Sequence, residues 1–254
     1  MLSALPRLQD VFPAARARPL PQSSPRQCEP NRVRHLSEAG RPGIVVGLAA
    51  EARIATRFGY PVETGGGTSA GAEAAASRLV DAGATALISF GLAGGLDPAL
   101  RPGEVIVPQT VLSDGVTRQA DRSLADRFGG LTTHTILGGR DIAATAVGKR
   151  RIQGLTQAHA IDLESGAVAA TAAAHGLPFV VVRAICDPAE RDLPPAALFA
   201  LDPGGAIAPW RVIRSVFGDP RQIAPLLALA RDARTARTAL LRLATRFEAE
   251  RPAG

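Results

Sequence analysis

Three carboxylates in this chain follow short apolar runs. That is where a parallel α/β protein gathers its chemistry, at the carboxyl ends of its strands. Glu51 stands just past the run 43–48, Glu164 follows Ala160-Ile161-Asp162-Leu163, and Asp187 closes Val180-Val181-Val182-Arg183-Ala184-Ile185-Cys186. Glu51 and Glu164 each have a plain alternative role, as carboxylates placed at a helix N-terminus by the helix dipole. Asp187 is harder to explain that way. It ends an apolar strand and precedes Pro188, so its surroundings are expected to be dry. Burial raises a carboxyl pKa and lets the group serve as an acid near neutrality.

The elements that must position these groups alternate between strand and helix. Strands are expected at 43–48, 85–90, 104–108, 132–137, 159–161 and 179–184. Helices are expected at 70–82, 149–155 and 164–175. Residues 209–247 read as two helices separated by Gly218-Asp219-Pro220. Short apolar strands between helices predict an α/β fold with a largely parallel sheet covered on both faces. Residues 1–42 are rich in Pro, Arg, Ser and Gln and have neither period, so they are expected to be a disordered extension ahead of a domain at 43–254.

Composition removes several function classes. Residues 1–42 hold seven Arg against Asp10, Glu29 and Glu38, so most of the net charge of +6 sits in that segment. The remainder lacks the clustered Arg and aromatics of a nucleic-acid surface, and no nucleic-acid partner is expected. Cys28 and Cys186 are too far apart for a disulfide scaffold or a Cys-based zinc site. His35, His134, His159 and His175 have no metal-ligand spacing, so no metal is expected. No run approaches a membrane span, and the N-terminus lacks the apolar stretch of a signal peptide. A cytoplasmic protein is the expectation. Gly67-Thr68-Ser69-Ala70-Gly71 fits the pattern of a hydrolase nucleophile elbow, but no strong strand precedes it and no His follows the final strand.

Four ordered elements carry a resemblance. Gly47-Leu48-Ala49-Ala50-Glu51, Ser89-Phe90-Gly91-Leu92-Ala93-Gly94-Gly95-Leu96, Ile161-Asp162-Leu163-Glu164-Ser165 and Phe179–Asp187 together resemble the nucleoside phosphorylase/nucleosidase superfamily. Glu51-Ala52-Arg53-Ile54-Ala55, Phe90–Pro98 and Asp187–Leu198 look most like its hopanoid-associated phosphorylase branch. The resemblance implies an α/β fold of three α/β/α layers with a mixed central sheet, and cleavage of a purine nucleoside, with adenine released from adenosylhopane. Soluble 5′-modified adenosines (methylthioadenosine, adenosylhomocysteine or futalosine) are the alternative substrates, and a non-catalytic binding protein on the same fold is the alternative outside enzymes.

On this resemblance Asp187 is the acid at purine N7, Glu164 grips the ribose hydroxyls, and Glu51 positions or deprotonates a water or borders a phosphate site. Leu163, Gly91, Gly94 and Ile142 would contact substrate. Arg53, Gly66 and Gly67 would border phosphate, since glycine turns near helix N-termini present N–H groups to anions. No organic cofactor is implied, although phosphate is a candidate co-substrate. A homodimer is expected. The interleaved apolar and basic residues of 209–247 are read first as a stripe packed on the sheet with arginines in solvent, and in the alternative as an apolar groove toward the ribose 5′ position with peripheral membrane contact. Three departures stand out: Cys186 in place of a Ser before the acid, Leu92 in place of a hydroxyl residue, and Gly166 in place of a His.

Overall fold

The computed structural model describes residues 40–198 and 220–250. Residues 1–39 lie outside it, as do Trp210, Val212, Ile213, Val216 and Phe217 of the expected apolar–basic segment. The described residues belong to the unit Gly40–Gly254.

The strands are β1 (Pro42–Val46), β2 (Val62–Thr64), β3 (Ala86–Gly95), β4 (Val105–Ile106), β5 (Pro108–Ser113), β6 (Val116–Gln119), β7 (Thr132–Gly138), β8 (Ala160–Asp162) and β9 (Phe179–Asp187). The helices are α1 (Ala49–Ala55), α2 (Ser69–Asp81), α3 (Arg122–Asp126), α4 (Ala146–Thr156), α5 (Ser165–Ala174), α6 (Pro195–Leu198) and α7 (Ile223–Glu250). Among the described residues the strands form one sheet, ordered β2-β1-β3-β8-β7-β5-β6, with β9 on β3 and β4 on β9. The β1–β3, β3–β9, β5–β7 and β7–β8 pairs are parallel, whereas β3–β8 and β5–β6 are antiparallel. The sheet is therefore mixed, as expected.

Period-2 alternation divides the core. Ile44, Val46, Ile88, Phe90, Val180 and Val182 face one layer, with Phe58, Phe128 and the α7 residues Ala236, Leu240, Leu243 and Ala244. Val45, Leu87, Val181 and Ile185 face the other, against Ala72, Ala75, Ala76 and Leu79 of α2 and Val168, Ala169 and Ala172 of α5. Helices thus cover both faces, which makes three layers. On the α7 side Phe58 makes edge contacts with Phe90, Phe128 and Phe247, so many of the chain's few aromatics join one cluster.

Several elements differ from the sequence reading for local reasons. Strand β3 runs past Phe90 to Gly95, because β9 pairs with it along Leu87–Gly94. The run 104–108 divides into β4 and β5, and Pro108 takes the first position of β5, where the missing N–H costs least. Helix α4 begins a turn earlier than expected, since Thr145 Oγ1 accepts from the Gly148 N–H at 3.0 Å. Thr68 caps α2 in the same way, which gives the Gly67–Gly71 stretch a structural role.

The register of β3 decides where the site forms. Residues Ala86–Phe90 pair with β1 on one edge, and Gly94 and Gly95 pair with β8. β1 runs parallel to β3 and β8 antiparallel, so their carboxyl ends point toward one another across residues 91–93. Backbone N–H groups in that gap must find partners other than a strand.

Candidate active site

A cavity of about 240 Å³ opens at this gap, lined by Glu51, Glu164 and Asp187 and by a mainly apolar wall that includes Leu48, Ile142, Ile161, Leu193 and Leu229. All three acidic residues singled out in the sequence meet here. Each is nearly buried, at 3%, 7% and 5% exposure.

Asp187 ends β9. Its Oδ2 accepts a hydrogen bond from the ammonium of Lys149, and its Oδ1 is buried with no partner. Lys149 is wholly buried in the first turn of α4 and also donates to the carbonyls of Pro188 at 2.8 Å and Arg191 at 2.9 Å. Burial pushes the Asp187 carboxyl above its ordinary range. The Lys149 hydrogen bond and charge, and then Arg191, pull it back, and Asp232 adds a smaller upward push. The adjacent Cys186 thiol is pushed up to about 12, first by burial and then by the charges of Asp187 and Glu51. It stays protonated.

At the opposite end, Arg183 is wholly buried and gathers the carboxylates. Its Nε donates to Asp162 Oδ2 at 2.5 Å, and its Nη2 donates to Glu164 Oε2 at 3.1 Å and Ser89 Oγ at 2.7 Å. Glu164 occupies the N-cap position of α5, yet its side chain makes no capping bond. Asp162 does that work instead, with Oδ1 accepting from the N–H groups of Glu164 at 3.2 Å and Ser165 at 3.0 Å. The Glu164 carboxyl is thereby left to the cavity.

Glu51 combines both of its readings. Oε2 accepts from the N–H groups of Gly47 at 3.0 Å and Leu48 at 2.8 Å, the backbone at the start of α1. Oε1 accepts from the Leu92 N–H at 2.9 Å, filling the gap beside β3. Burial raises the Glu164 carboxyl to about 8. Arg183 opposes this, while Glu51 and Asp162 add to it. Burial raises Glu51 as well, against Arg183 and its three backbone donors. One guanidinium faces three carboxyl groups, so both Glu51 and Glu164 are pushed toward the protonated form.

The remaining sequence candidates divide. Leu163, Gly94, Gly67 and the half-exposed Ile142 line the cavity. Gly66 and Gly67 have φ of 70° and 72°, a turn that side chains resist, and only Gly67 reaches the wall. Gly91 does not line the cavity. A Cβ there would fall 2.8 Å from Glu51 Oε1, so its role is to leave room for that carboxylate. Arg53 is exposed and also absent from the wall, because it projects from the solvent side of α1. A Cβ on Gly166 would fall 2.8 Å from Ser113 Cβ and 3.3 Å from Gly138 Cα, which explains the absence of a larger residue. Sequence reasoning overlooked Lys149 and Arg183. A usable signal existed for the first, since it is the sole lysine among 29 basic residues. For Arg183 the signal was a charge placed mid-run in an apolar strand.

A family model described as the phosphorylase superfamily matches residues 60–153. A search of curated proteins returns no match. Among solved structures, native futalosine hydrolase of Helicobacter pylori aligns with a TM-score of 0.58 at 15% identity, covering 82% of this chain and 97% of that one. S-adenosylhomocysteine nucleosidase from Streptococcus pyogenes, in complex with 5-methylthiotubericidin, aligns with a TM-score of 0.56 at 18% identity, covering 76% and 97%. The 5′-methylthioadenosine/S-adenosylhomocysteine nucleosidase of Helicobacter pylori, with butyl-thio-DADMe-Immucillin-A, aligns with a TM-score of 0.58 at 15% identity, covering 83% and 100%. With its mixed sheet between two helical layers and its acidic residues at the strand ends, this chain has the nucleoside phosphorylase/nucleosidase fold.

Proposed function

We propose that this protein cleaves the N-glycosidic bond of a purine nucleoside by attack of water, with Asp187 as the acid and the Glu51–Glu164 pair acting on the sugar and the water. One observation carries the reading: a buried carboxyl with one unpartnered oxygen lines the same mainly apolar cavity as two further buried carboxyls, Glu51 and Glu164. As the C1′–N9 bond breaks, its electron pair moves to the purine. The Asp187 proton passes to N7, so the base departs neutral. Glu164 hydrogen-bonds the ribose hydroxyls, and the negative charge carried by the Glu51–Glu164 pair favours the cation developing on the sugar. Water forms the new bond at C1′ and gives its proton to the ionised member of the pair. The products are free base and free sugar.

Water is favoured over phosphate on electrostatic grounds. The cation at the sugar end, Arg183, already donates to Asp162, Glu164 and Ser89, and the neighbouring carboxylates repel a phosphate dianion. Arg53 does not reach the cavity.

The substrate proposed is an adenosine bearing an apolar 5′ group, with adenosylhopane as the extreme case. Support comes from the hydrocarbon wall of Leu48, Ile142, Leu193 and Leu229. Smaller soluble 5′-substituted adenosines fit that wall equally, and the solved structures of like fold include proteins named for such activities. The deciding experiment is incubation with adenosine, 5′-methylthioadenosine and 5′-alkyl adenosines, with and without phosphate, followed by chromatography. Adenine and free ribose product, independent of phosphate, are expected. Absence of base release from every substrate would overturn the reading, and a sugar 1-phosphate would overturn the choice of water.

A further inference from the structure

We infer that Lys149 is a positioning residue for the proton-transfer step: it holds one oxygen of Asp187, leaving the other for the purine, and stabilises the carboxylate that forms when the proton departs. This rests on the reading of Asp187 as the acid.

The placement of Lys149 is not explained by local structure. It is the sole lysine in a chain whose other basic residues are arginine, and it is fully buried. It lies in the first turn of α4, where the helix dipole opposes a cation. Its three N–H donors meet three acceptors: Asp187 Oδ2, the Pro188 carbonyl and the Arg191 carbonyl. That tripod matches an ammonium and not the planar fork of arginine. Two of the acceptors belong to the loop after β9, so the same side chain fixes both the acid and the backbone next to it.

The chemistry follows from the geometry. With Oδ2 bonded to the ammonium, Oδ1 is the oxygen without a protein partner and the one assigned to N7. When the proton moves from Oδ1 to N7, the new carboxylate already accepts from an ammonium in a dry site, so the charge created is neutralised at once. Lysine loses no proton. Other charges near Asp187 come from Arg191 on the following loop and Asp232 on α7, which pair with each other, and the neighbouring Cys186 stays neutral. Lys149 is therefore the main cation that opposes the effect of burial on the acid, and Arg191 the lesser one.

The test is the pH dependence of kcat/KM for K149M, K149R and D187N, using whichever adenosine the enzyme cleaves. Removing the ammonium destabilises the carboxylate, so the basic limb of the K149M profile is expected at higher pH. Its kcat should fall by about 10- to 100-fold, with a smaller change in KM. K149R keeps the charge but not the tripod, so it should lose rate with a smaller pH displacement. In a D187N background, K149M should cost little more. A buried pair with only a structural role would lower Tm and leave the profile of the folded fraction unmoved, which would overturn the inference. If K149M is not recovered folded, K149R decides: a rate at least about tenfold below wild type supports the inference, and wild-type kcat overturns it. Near-wild-type turnover by D187N would instead remove Asp187 from the mechanism, a failure of the underlying reading and not of the lysine assignment alone.

Discussion

Individual residues in this site are tuned mainly by burial. Asp187→Asn removes the transferable proton while keeping shape, and kcat is expected to fall by about 100-fold or more, measured as adenine release. Glu164→Gln should slow ribonucleosides far more than 2′-deoxynucleosides, since the deoxy sugars lack a hydroxyl that the carboxyl grips; equal losses would count against that contact. Glu164 also makes a stability prediction. Its carboxyl lies at about 8 in the folded protein against an ordinary 4.5. Between those values the folded state holds a proton that the unfolded state has released, so stability falls as pH rises through that window. Glu51 is shifted in the same direction. Tm of Glu164→Gln should therefore decline less steeply than that of wild type from about pH 4.5 to 8. Parallel Tm curves would show that the raised pKa is not expressed.

At the scale of elements, the site depends on strand ends and close backbone approaches. A Cβ on Gly47, just beyond β1, would fall 2.0 Å from Glu164 Oε1. Gly47→Ala must therefore displace the carboxyl, and activity should drop by about tenfold or more while the far-ultraviolet circular dichroism stays unchanged. Helix α7 has two parts. Its later half packs on the sheet through Ala236, Leu240, Leu243 and Ala244, as a stripe in a globular domain ordinarily does. Leu240 is fully buried, and Leu240→Ala should destabilise by about 2–5 kcal/mol in denaturant unfolding. The earlier half differs: Leu229 lines the cavity, while Ile223 and Leu227 are 47% and 54% exposed. Of the two readings of this segment, a stripe packed on the sheet and a part facing an apolar groove, the described residues show the first in the later half of α7 and place Leu229 of the earlier half on the cavity wall.

For the molecule as a whole, the question is how an apolar 5′ group is accommodated. No helix among the described residues is long and apolar enough to cross a membrane. The surface available to the proposed apolar 5′ group is the Leu48, Leu193 and Leu229 wall of the cavity. If the group lies there, kcat/KM for 5′-alkyl adenosines should rise by up to about fourfold per buried methylene over the first few carbons. Leu229→Ser should flatten that series without altering adenosine itself. A flat series with the wild-type protein would point to a small polar 5′ group. Co-sedimentation with anionic liposomes separately tests whether the exposed Ile223 and Leu227 meet a lipid surface; protein remaining in the supernatant would exclude such docking.

The alternation of apolar runs and helical segments was enough to predict a sheet covered on both faces, because side-chain period is a local property, whereas the antiparallel pairs that make the sheet mixed are not encoded in that period. The three carboxylates were legible for the same reason: each follows a strand-forming run, and strand ends are where such folds leave room. Their partners were not legible. Lys149 reaches Asp187 across 38 positions and Arg183 reaches Ser89 across 94, distances that no local pattern encodes. Gly91 and Arg53 were read as ligand contacts from their neighbourhood in the chain, but direction from the backbone decided otherwise: one faces a carboxylate and the other faces solvent. The decisive tertiary feature is the register of β3, which brings the carboxyl ends of β1 and β8 face to face. Strand pairing is a long-range choice made by burial and hydrogen bonding together, and only the folded chain shows which gap it leaves for Glu51 and Glu164 to occupy.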